Sequence, residues 1–429
     1  MSVVERAAVR QKLAGKPSDT VLPFLHSLMI PEPPILRLET EFPVDEKLAR
    51  DWDRLAIETD APVYMSFDWA RLWWQFYGKN CQLRLFLFSV GDSLVGILPV
   101  YLRSVGFGPF RIRVARLVGA NIPPKIFNPP VLEAWSDNIW SAVIRHLFDR
   151  DRCDIVSLGP VSETYKGLQS LTEAALNGRL PGIAGALIDR DVHTVYRLPK
   201  NCDEFFASID PKERKVRRKK LRDLEAKGPL RVDVVKEPVS VEREFARFVR
   251  QHTAQWEAEG RPGHFHAWPR ALEFHQELVK AQAKLQRVRL MSLFVGEENV
   301  ATQYGFAFGK NLYAELPSRA TGPEWDRLSL GCSSQVKLLE SAITEGFDTM
   351  ESGLGHYEYK VLLGGQEQRA LNLRLHATRR SSQFRTKGCS ALRDLMVVLS
   401  QKVWYKRVSP RLPKALRAGQ SESTLNFDF

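Results

Sequence analysis

Hydrophobic residues in the first half of the chain follow a helical period and then a strand period. Between about residues 45 and 80 they recur about every 3.6 residues, which predicts helices. Residues 83–102 then read LRLFLFSVGDSLVGILPVYL, two apolar runs joined by Gly91 and Asp92. Because Arg84, Asp92 and Pro99 interrupt it, this stretch predicts a β-hairpin and not a membrane span. The pattern further predicts strands near 111–118 and 155–160 and helices near 136–149 and 162–176.

The second half shows the same succession more clearly. Strand character at 193–198 precedes a helix that Asn201 or Asp203 should cap, and a strongly basic helix follows. A later helix is predicted at 333–345, and Gly346 is expected to end it. The other predicted helices are 240–258 and 268–284, and the predicted strands are 230–235, 288–296, 300–309, 311–316, 347–352 and 370–377.

Each half therefore reads as helices, a hairpin, a helix and a strand. This order predicts an α/β fold with a mixed α+β sheet, built from two similar domains at 45–192 and 193–378. Residues 1–44, which include a PEPP segment, are expected to form a leader and linker. Residues 379–429 are expected to form a basic amphipathic tail.

Charge and cysteine content narrow the functional classes. The chain has 429 residues and a net charge of +12, which favours anionic partners such as phosphates, nucleic acid or a membrane surface. Its five cysteines show no metal-binding spacing and predict reduced thiols in a cytosolic compartment. The N-terminus has no apolar signal core. We therefore expect a cytoplasmic protein, with the inner face of the membrane as a second, peripheral location.

The stretch RLSLGCSSQVKLLESAITEGF, residues 327–347, places a glycine where an apolar helical pattern begins. The free backbone N–H groups and the dipole at a helix start favour an anion. The alternative is an ordinary helix N-cap made by Ser329 or Ser333. Cys332 has no histidine or aspartate placed by the sequence to assist it, so we interpret it as a packed small residue and not as a nucleophile.

Two basic segments add candidate interaction surfaces. The run 212–222 carries eight Lys or Arg on a predicted helix, which is either a solvated face or a surface for a phosphate-bearing acceptor, anionic lipid or RNA. The tail places Leu392, Leu395, Met396, Leu399 and Val403 on one helical face, suited to a membrane surface or to packing on its own domain. Basic residues follow at Lys402, Lys406, Arg407, Arg411, Lys414 and Arg417.

The nine histidines include His264, His266 and His275 in or near one segment. Two strand-spaced histidines with a third nearby are one pattern of a metal site. No carboxylate or cysteine completes a ligand set in the sequence, so we predict no metal.

In four places the chain resembles the CelD/BcsL-type acetyltransferases of the GNAT superfamily, whose architecture is similar to the two-domain Fem-type peptidoglycan transferases. The first place is SFDWARLWWQF with LVGILPVYL, within 66–102, and the second is the basic run 210–228. The third is Trp256. The fourth is VATQYGF with the stretch 327–339 and the tail motif ESGLGHYEYK, residues 351–360. The resemblance covers about residues 50–376.

This resemblance implies two tandem GNAT-like domains, of which the second is more complete. It implies an acyltransferase that moves an acyl group, most simply acetyl, from acyl-CoA to an amine or hydroxyl on a sugar, polysaccharide or cell-envelope precursor. It further implies a small-molecule, glycan or lipid-linked acceptor. The backbone at the start of the 333–345 helix would bind the CoA pyrophosphate, through Ser329, Leu330, Gly331, Cys332 and Ser333.

Candidate catalytic residues lie in the tail motif. Acyl transfer from a thioester needs a base for the nucleophile and an acid for the leaving thiolate. Glu351 and His356 are candidate bases, Tyr359 is a candidate acid, and Lys360 is a candidate ligand for phosphate or an acidic acceptor. The alternative is that residues 351–360 form one salt-bridged loop that holds a strand end.

Two departures from the family pattern keep other functions open. Leu354 stands where the family usually has arginine, and the spacing from Arg327 to Gly331 is one residue longer than usual. One rival function is a Fem-like transferase that uses aminoacyl-tRNA as donor, the only nucleic-acid partner we consider. The other is a non-catalytic scaffold for envelope or polysaccharide assembly.

Overall fold

The structure, a computed structural model, describes residues 33–120 and 125–398. Outside the described residues lie the predicted leader up to residue 32, the first four residues of the Pro-rich segment NIPPKIFNPP (121–130), which is expected to form a loop, and the predicted tail from 399 onward. The basic positions from Lys402 to Arg417 and the apolar positions Leu399 and Val403 are therefore not described. The side chain of Met396 is not described either.

Twelve strands in the described part of the chain form one mixed sheet. Their bounds are β1 Ile35–Glu39, β2 Gln82–Val90, β3 Ser93–Val105, β4 Ile112–Leu117, β5 Ile155–Ser162, β6 Ile183–Arg197, β7 Leu230–Val235, β8 Val288–Val295, β9 Glu298–Phe308, β10 Asn311–Arg319, β11 Thr349–Leu354 and β12 Gln366–Ala377. Their order across the sheet is β1-β2-β3-β4-β5-β12-β6-β11-β10-β9-β8-β7. The predicted mixed α/β fold is confirmed.

The last strand joins the two halves of the sheet. β12 lies between β5 and β6 and is antiparallel to both, with Ala370 opposite Ser162 on one side and opposite Asp191 on the other. The predicted boundary at 192/193 falls inside β6, which also pairs with β11. β1 lies within the predicted leader and pairs with β2, so residues 35–39 belong to the sheet. The division into two tandem domains stays a prediction, and β6 and β12 pair with strands on both sides of the predicted boundary.

Eleven α-helices in the described residues cover the sheet. Their bounds are α1 Glu46–Glu58, α2 Phe67–Tyr77, α3 Ser136–Arg145, α4 Gln169–Leu176, α5 Cys202–Ser208, α6 Pro211–Glu225, α7 Pro238–Ala258, α8 Ala271–Lys284, α9 Leu330–Thr344, α10 Glu358–Leu362 and α11 Arg380–Val398. The predicted cap at Asn201 is confirmed, because its side chain accepts a hydrogen bond from Glu204 N–H at 2.9 Å. The basic helix α6 begins with Asp210 as its N-cap and Pro211 at its first position.

Three elements differ from the sequence prediction for local reasons. The helix predicted at 162–176 begins only at Gln169, because β5 extends to Ser162. The sequence predicts only the last residues of β6, since its first part, IAGALIDRD, shows no alternation of apolar and polar residues and is largely exposed. α9 begins at Leu330, three residues before the predicted start.

The two halves share one hydrophobic core. The indole of Trp69 on α2 lies 5.8 Å from the ring of Phe274 on α8 and 5.7 Å from that of Phe306 on β9. Near this core, Arg287 donates to the mostly buried carboxylate of Asp53 at 2.7 Å. These contacts fix the first half against the second, which matters because the candidate site uses residues from both. No helix in 33–120 and 125–398 is long and apolar enough to cross a membrane.

Candidate active site

The candidate site lies where two parallel strands separate. β10 and β11 pair over only three positions, ending with Tyr313 opposite Glu351. Beyond this pair β10 continues to Arg319 and β11 to Leu354 without pairing to each other. The separation leaves backbone groups of both strands to find other partners and opens the sheet at Glu351. β4 and β5 in the first half likewise pair over only three positions.

Glu351 is buried at the apex of this opening. The pKa of its carboxyl is raised to about 7, chiefly by burial and also by the nearby Glu315 carboxylate, against the opposing effect of Lys125 and Lys360. A carboxyl group with a pKa near 7 is suited to accept a proton at neutral pH. The sequence prediction of Glu351 as a base candidate therefore gains a physical environment that fits the role.

His193 on β6 connects Glu351 to the first half of the chain. Its Nδ1 lies 3.9 Å from Glu351 Oε1, and its Nε2 lies 3.1 Å from the hydroxyl oxygen of Ser162. Ser162 donates to Gln368 Oε1 at 2.9 Å, so its oxygen is left to accept the N–H of His193. Burial lowers the pKa of His193 to about 4. A neutral His193 in this tautomer presents an unprotonated Nδ1 to Glu351.

A second ion pair joins the halves beside Glu351. Lys125 Nζ lies 3.0 Å from Glu315 Oε1, and both side chains are nearly inaccessible to solvent. Glu315 Oε2 has no hydrogen-bond partner among the described residues. Tyr64 lies below Lys125, with the ammonium 5.5 Å from the centre of its ring. This cluster surrounds the opening with two carboxylates and with a cation from the first half.

Histidines behind β10 form a hydrogen-bonded pair. His252 Nδ1 donates to the carbonyl of Pro317 on β10 at 3.0 Å. Its Nε2 therefore accepts from His264 Nδ1 at 3.2 Å, and burial lowers the pKa of both rings. No group of three or more side chains placed to hold a metal ion is found in residues 33–120 and 125–398.

Some residues of the tail motif, residues 351–360, are buried and others are exposed. Lys360 is buried and donates to the carbonyl of Ser352, and burial lowers its pKa to about 8. His356 is exposed, with its Nδ1 2.6 Å from Glu367 Oε1. The structure thus brings Lys360 to Glu351 and leaves His356 on the surface, paired with another residue.

Tyr359, which belongs to the tail motif, lies near Cys332 at the start of α9. Burial raises the pKa of Tyr359 to about 12, and Cys332 and Tyr357 contribute to the rise. Its hydroxyl is therefore protonated at neutral pH. Cys332 also contributes to a raised pKa of Tyr196. The Tyr196 hydroxyl donates to the carbonyl of Lys360 at 3.1 Å. The candidate acid is thus near the predicted donor-binding turn.

The start of α9 has the features of an anion site. Ser329 precedes the helix with φ of 53° and makes no side-chain capping bond. The N–H groups of the first turn have no partner within a helix. Gly331 is exposed, and a Cβ added there would meet nothing within 4 Å. Of the predicted donor-binding residues, Leu330 and Ser333 are buried, so the backbone at Gly331 and Cys332 is what faces outward.

The basic helix α6 packs beside this turn. Lys220 Nζ donates to the carbonyl of Arg327 at 3.2 Å, directly before the start of α9. Arg217 is buried and pairs with Glu213 at 2.8 Å, which fixes one face of α6 against the protein. The positive charge of α6 is therefore close to the N-terminus of α9, and the two reinforce one another for an anionic ligand.

The sequence could not reveal several residues of this site. Lys125, Ser162 and His193 belong to the predicted first half or its boundary, and Glu315 lies within a strand that reads as ordinary core. Each is recognisable only by what surrounds it after folding. A weak signal existed for Glu315, since a charge in the apolar strand NLYAEL needs a buried partner.

Comparison with known proteins agrees with this arrangement. Residues 211–361 match the family model described as the Acetyltransferase (GNAT) domain. The match begins at α6 and ends within α10, so it includes the separated strands, the start of α9 and the tail motif. A search of curated proteins found none that matches this chain.

Two solved structures share the fold at low sequence identity. One is described as the crystal structure of FemX, with a TM-score of 0.54, 10% identity and coverage of 78% of this chain and 98% of that one. The other is a conserved protein of unknown function from Bacteroides thetaiotaomicron VPI-5482, with a TM-score of 0.50, 10% identity and coverage of 80% and 100%. The chain therefore has a GNAT-type acyltransferase fold, and it is similar to FemX across both halves of the sheet. GNAT domains use acyl-CoA.

Proposed function

We propose that this chain transfers an acyl group, most simply acetyl, from acyl-CoA to an amine or hydroxyl. The observation that carries the proposal is the opening between β10 and β11, which has the buried carboxyl of Glu351 at its apex and the start of α9 beside it. This combines a proton acceptor and an anion site within one GNAT domain.

The residues at the start of α9 fit the donor. Open space at Gly331, unpartnered backbone N–H groups and the adjacent positive helix α6 suit a pyrophosphate. When bound, acyl-CoA would supply an activated thioester carbonyl. Ser329, Leu330, Gly331, Cys332 and Ser333 remain the proposed binding segment, with the backbone of Gly331 and Cys332 as its exposed part.

Glu351 would take the proton from the acceptor. At neutral pH a fraction of the Glu351 carboxyl groups is ionised and can accept a proton. The protonated carboxyl would then lie beside the unprotonated Nδ1 of His193, 3.9 Å from Oε1. His193 is thus a positioning residue for Glu351, held through Ser162. Tyr359 would donate a proton to the leaving thiolate, because its hydroxyl stays protonated and lies near Cys332. Lys360 would support the strand end through Ser352, and His356 has no proposed step.

The acceptor class follows only from the resemblance to CelD/BcsL-type acetyltransferases. It suggests a sugar, a polysaccharide or a cell-envelope precursor, reached from a cytoplasmic or membrane-peripheral location. Glu351 and Lys125 each keep 11% of their side-chain surface exposed, which leaves one carboxyl and one ammonium group for contact with such a polar acceptor.

Calorimetric titration with acetyl-CoA tests the proposal without knowledge of the acceptor. We expect micromolar binding by the wild-type protein and at least about a tenfold loss in Gly331→Glu, because a carboxylate would face the pyrophosphate. Gly331→Ala is the matched control. Gly331 has an ordinary helical φ and open space, so both substitutions fit the fold and the alanine variant should bind normally. Absence of binding to the wild-type protein would refute the proposal.

Aminoacyl-tRNA is the second candidate donor. The observation that favours it is α6, whose Lys and Arg residues are mostly exposed beside the start of α9, together with the fold shared with FemX. A protein that ignores acetyl-CoA but binds tRNA with a steep salt dependence would support this function. A protein that binds neither would support the scaffold hypothesis.

A further inference from the structure

An arginine-rich cavity lies at the opposite end of β5 from the candidate active site. It has a volume of about 690 Å³. It is lined by Asn80, Gln82, Leu102, Arg103, Ser104, Arg111, Ile112, Arg113, Arg152, Asp154 and Arg385. Asp154 precedes the first residue of β5 and Ser162 is the last. At about 3.3 Å per residue the cavity is therefore roughly 25 Å from Ser162 and the site around Glu351.

A single buried carboxylate organises the floor of the cavity. Asp154 accepts from the Arg113 N–H at 2.9 Å, from Ser382 Oγ at 2.6 Å and from Arg385 Nη2 at 2.5 Å. Asp154 is therefore fully used within the protein. Ser382 and Arg385 belong to α11, so this carboxylate also fixes the C-terminal helix against the first half.

The charge of the cavity is not balanced by its own lining. Five guanidinium groups face one carboxylate, and that carboxylate is the only acidic residue of the lining. Arg113 is held by the Asp151 carbonyl at 2.9 Å and by the Gln82 side chain, and it lies 3.9 Å from the Asp151 carboxylate, which is outside the lining. Arg111 and Arg152 are exposed, and no hydrogen bond or ion pair within the described residues uses their side chains. Arg152 has a φ of 56°, a left-handed conformation that is uncommon for arginine.

We propose that this cavity is a binding site for a phosphate group, separate from the proposed acyl-transfer site. Guanidinium groups bind phosphate oxygens in pairs, and several arginines around one cavity match the charge and the multiple acceptors of a phosphate ester. The lining contains no aromatic ring, so it offers no platform for stacked bases of a single-stranded nucleic acid.

Two sources of this phosphate are distinguishable. One is the headgroup of an anionic phospholipid, which would place α11 and the basic sequence after it near a membrane surface. The other is a soluble phosphate ester. Both use the same arginines, and they differ in whether a lipid surface is needed.

The test uses the full-length protein and the double variant Arg111→Glu/Arg152→Glu. The matched control is Arg250→Glu/Lys310→Glu, which makes the same charge change at two exposed residues without side-chain partners in the described structure. Equal melting temperatures of the three proteins verify folding. A milder pair, Arg111→Gln/Arg152→Gln, replaces the glutamate variant if that protein is unstable.

One arm measures co-sedimentation with phosphatidylcholine vesicles that contain 30% phosphatidylglycerol, and the other measures calorimetric titration with inorganic phosphate. More than about tenfold weaker vesicle binding by the cavity variant, with the control near wild type, supports the lipid source. Phosphate binding that only the cavity variant loses supports the soluble source. If cavity and control variants behave alike in both arms, or the wild-type protein binds neither, the proposal is wrong.

Discussion

Replacing Glu351 with glutamine should stabilise the protein above neutral pH and have little effect in acid. Glutamine has nearly the shape of the protonated glutamic acid and carries no charge. In the folded protein the pKa of Glu351 is about 7, against 4.5 for an unperturbed glutamate. The raised pKa means that the folded state holds this proton more tightly than the unfolded state does.

The size of the effect follows from that difference. A pKa difference from 4.5 to about 7, at about 1.36 kcal/mol per unit, corresponds to about 3 kcal/mol. The stability that protonated Glu351 provides is fully present below pH 4.5 and is lost as the pH rises to 7. The variant does not lose it. We therefore expect the free energy of unfolding of Glu351→Gln to be higher than that of wild type by about 1 kcal/mol or less at pH 5 and by about 3 kcal/mol at pH 8.

Thermal unfolding at both pH values measures this difference. For a chain of this length about 3 kcal/mol corresponds to roughly 3 °C in melting temperature. Glu297→Gln, in the exposed turn between β8 and β9, is the control and should give a small difference that does not grow with pH. A wild-type protein that is the more stable one at pH 8, or an advantage of the variant that is equal at both pH values, would show that burial of Glu351 does not raise its pKa.

Three further changes test other parts of the structure. Lys125→Met should lower stability by about 3 kcal/mol, because it leaves Glu315 buried without its cation, and adding Glu315→Gln should recover most of the loss; urea unfolding measures both. His356→Ala should change stability by less than about 1 kcal/mol and leave acetyl-CoA binding intact, since its pair with Glu367 is exposed; loss of binding in calorimetry would contradict this. Gly388→Ala should loosen α11, because the added methyl would lie 2.0 Å from an aromatic ring of the first half, and limited proteolysis should then cut α11 sooner than in wild type.

Local pattern was sufficient for most individual elements. The hairpin β2–β3, the cap at Asn201 and the helices α7 and α8 are visible in the sequence because apolar periodicity and capping residues act over a few neighbours. The segment that precedes and begins α9 and the candidate base Glu351 were also found this way, with the help of a family resemblance. The sequence does not predict that His356 is exposed and paired with Glu367, because the neighbouring residues along the chain do not determine which way a loop side chain points.

The tertiary structure alone decided how the site is assembled. β12 completes the first half of the sheet although it comes last in the chain, and this long-range pairing has no signal in local periodicity. The pairing of β12 with β5 and of β11 with β6 brings Ser162 and His193 to Glu351, and an ion pair joins Lys125 to Glu315. The raised pKa of Glu351 exists only in that assembly, because it arises from burial and from charges distant in the sequence. The sequence by itself determined most of the elements and some of the candidate site residues, whereas packing determined which further residues join them, their charge states and their partners.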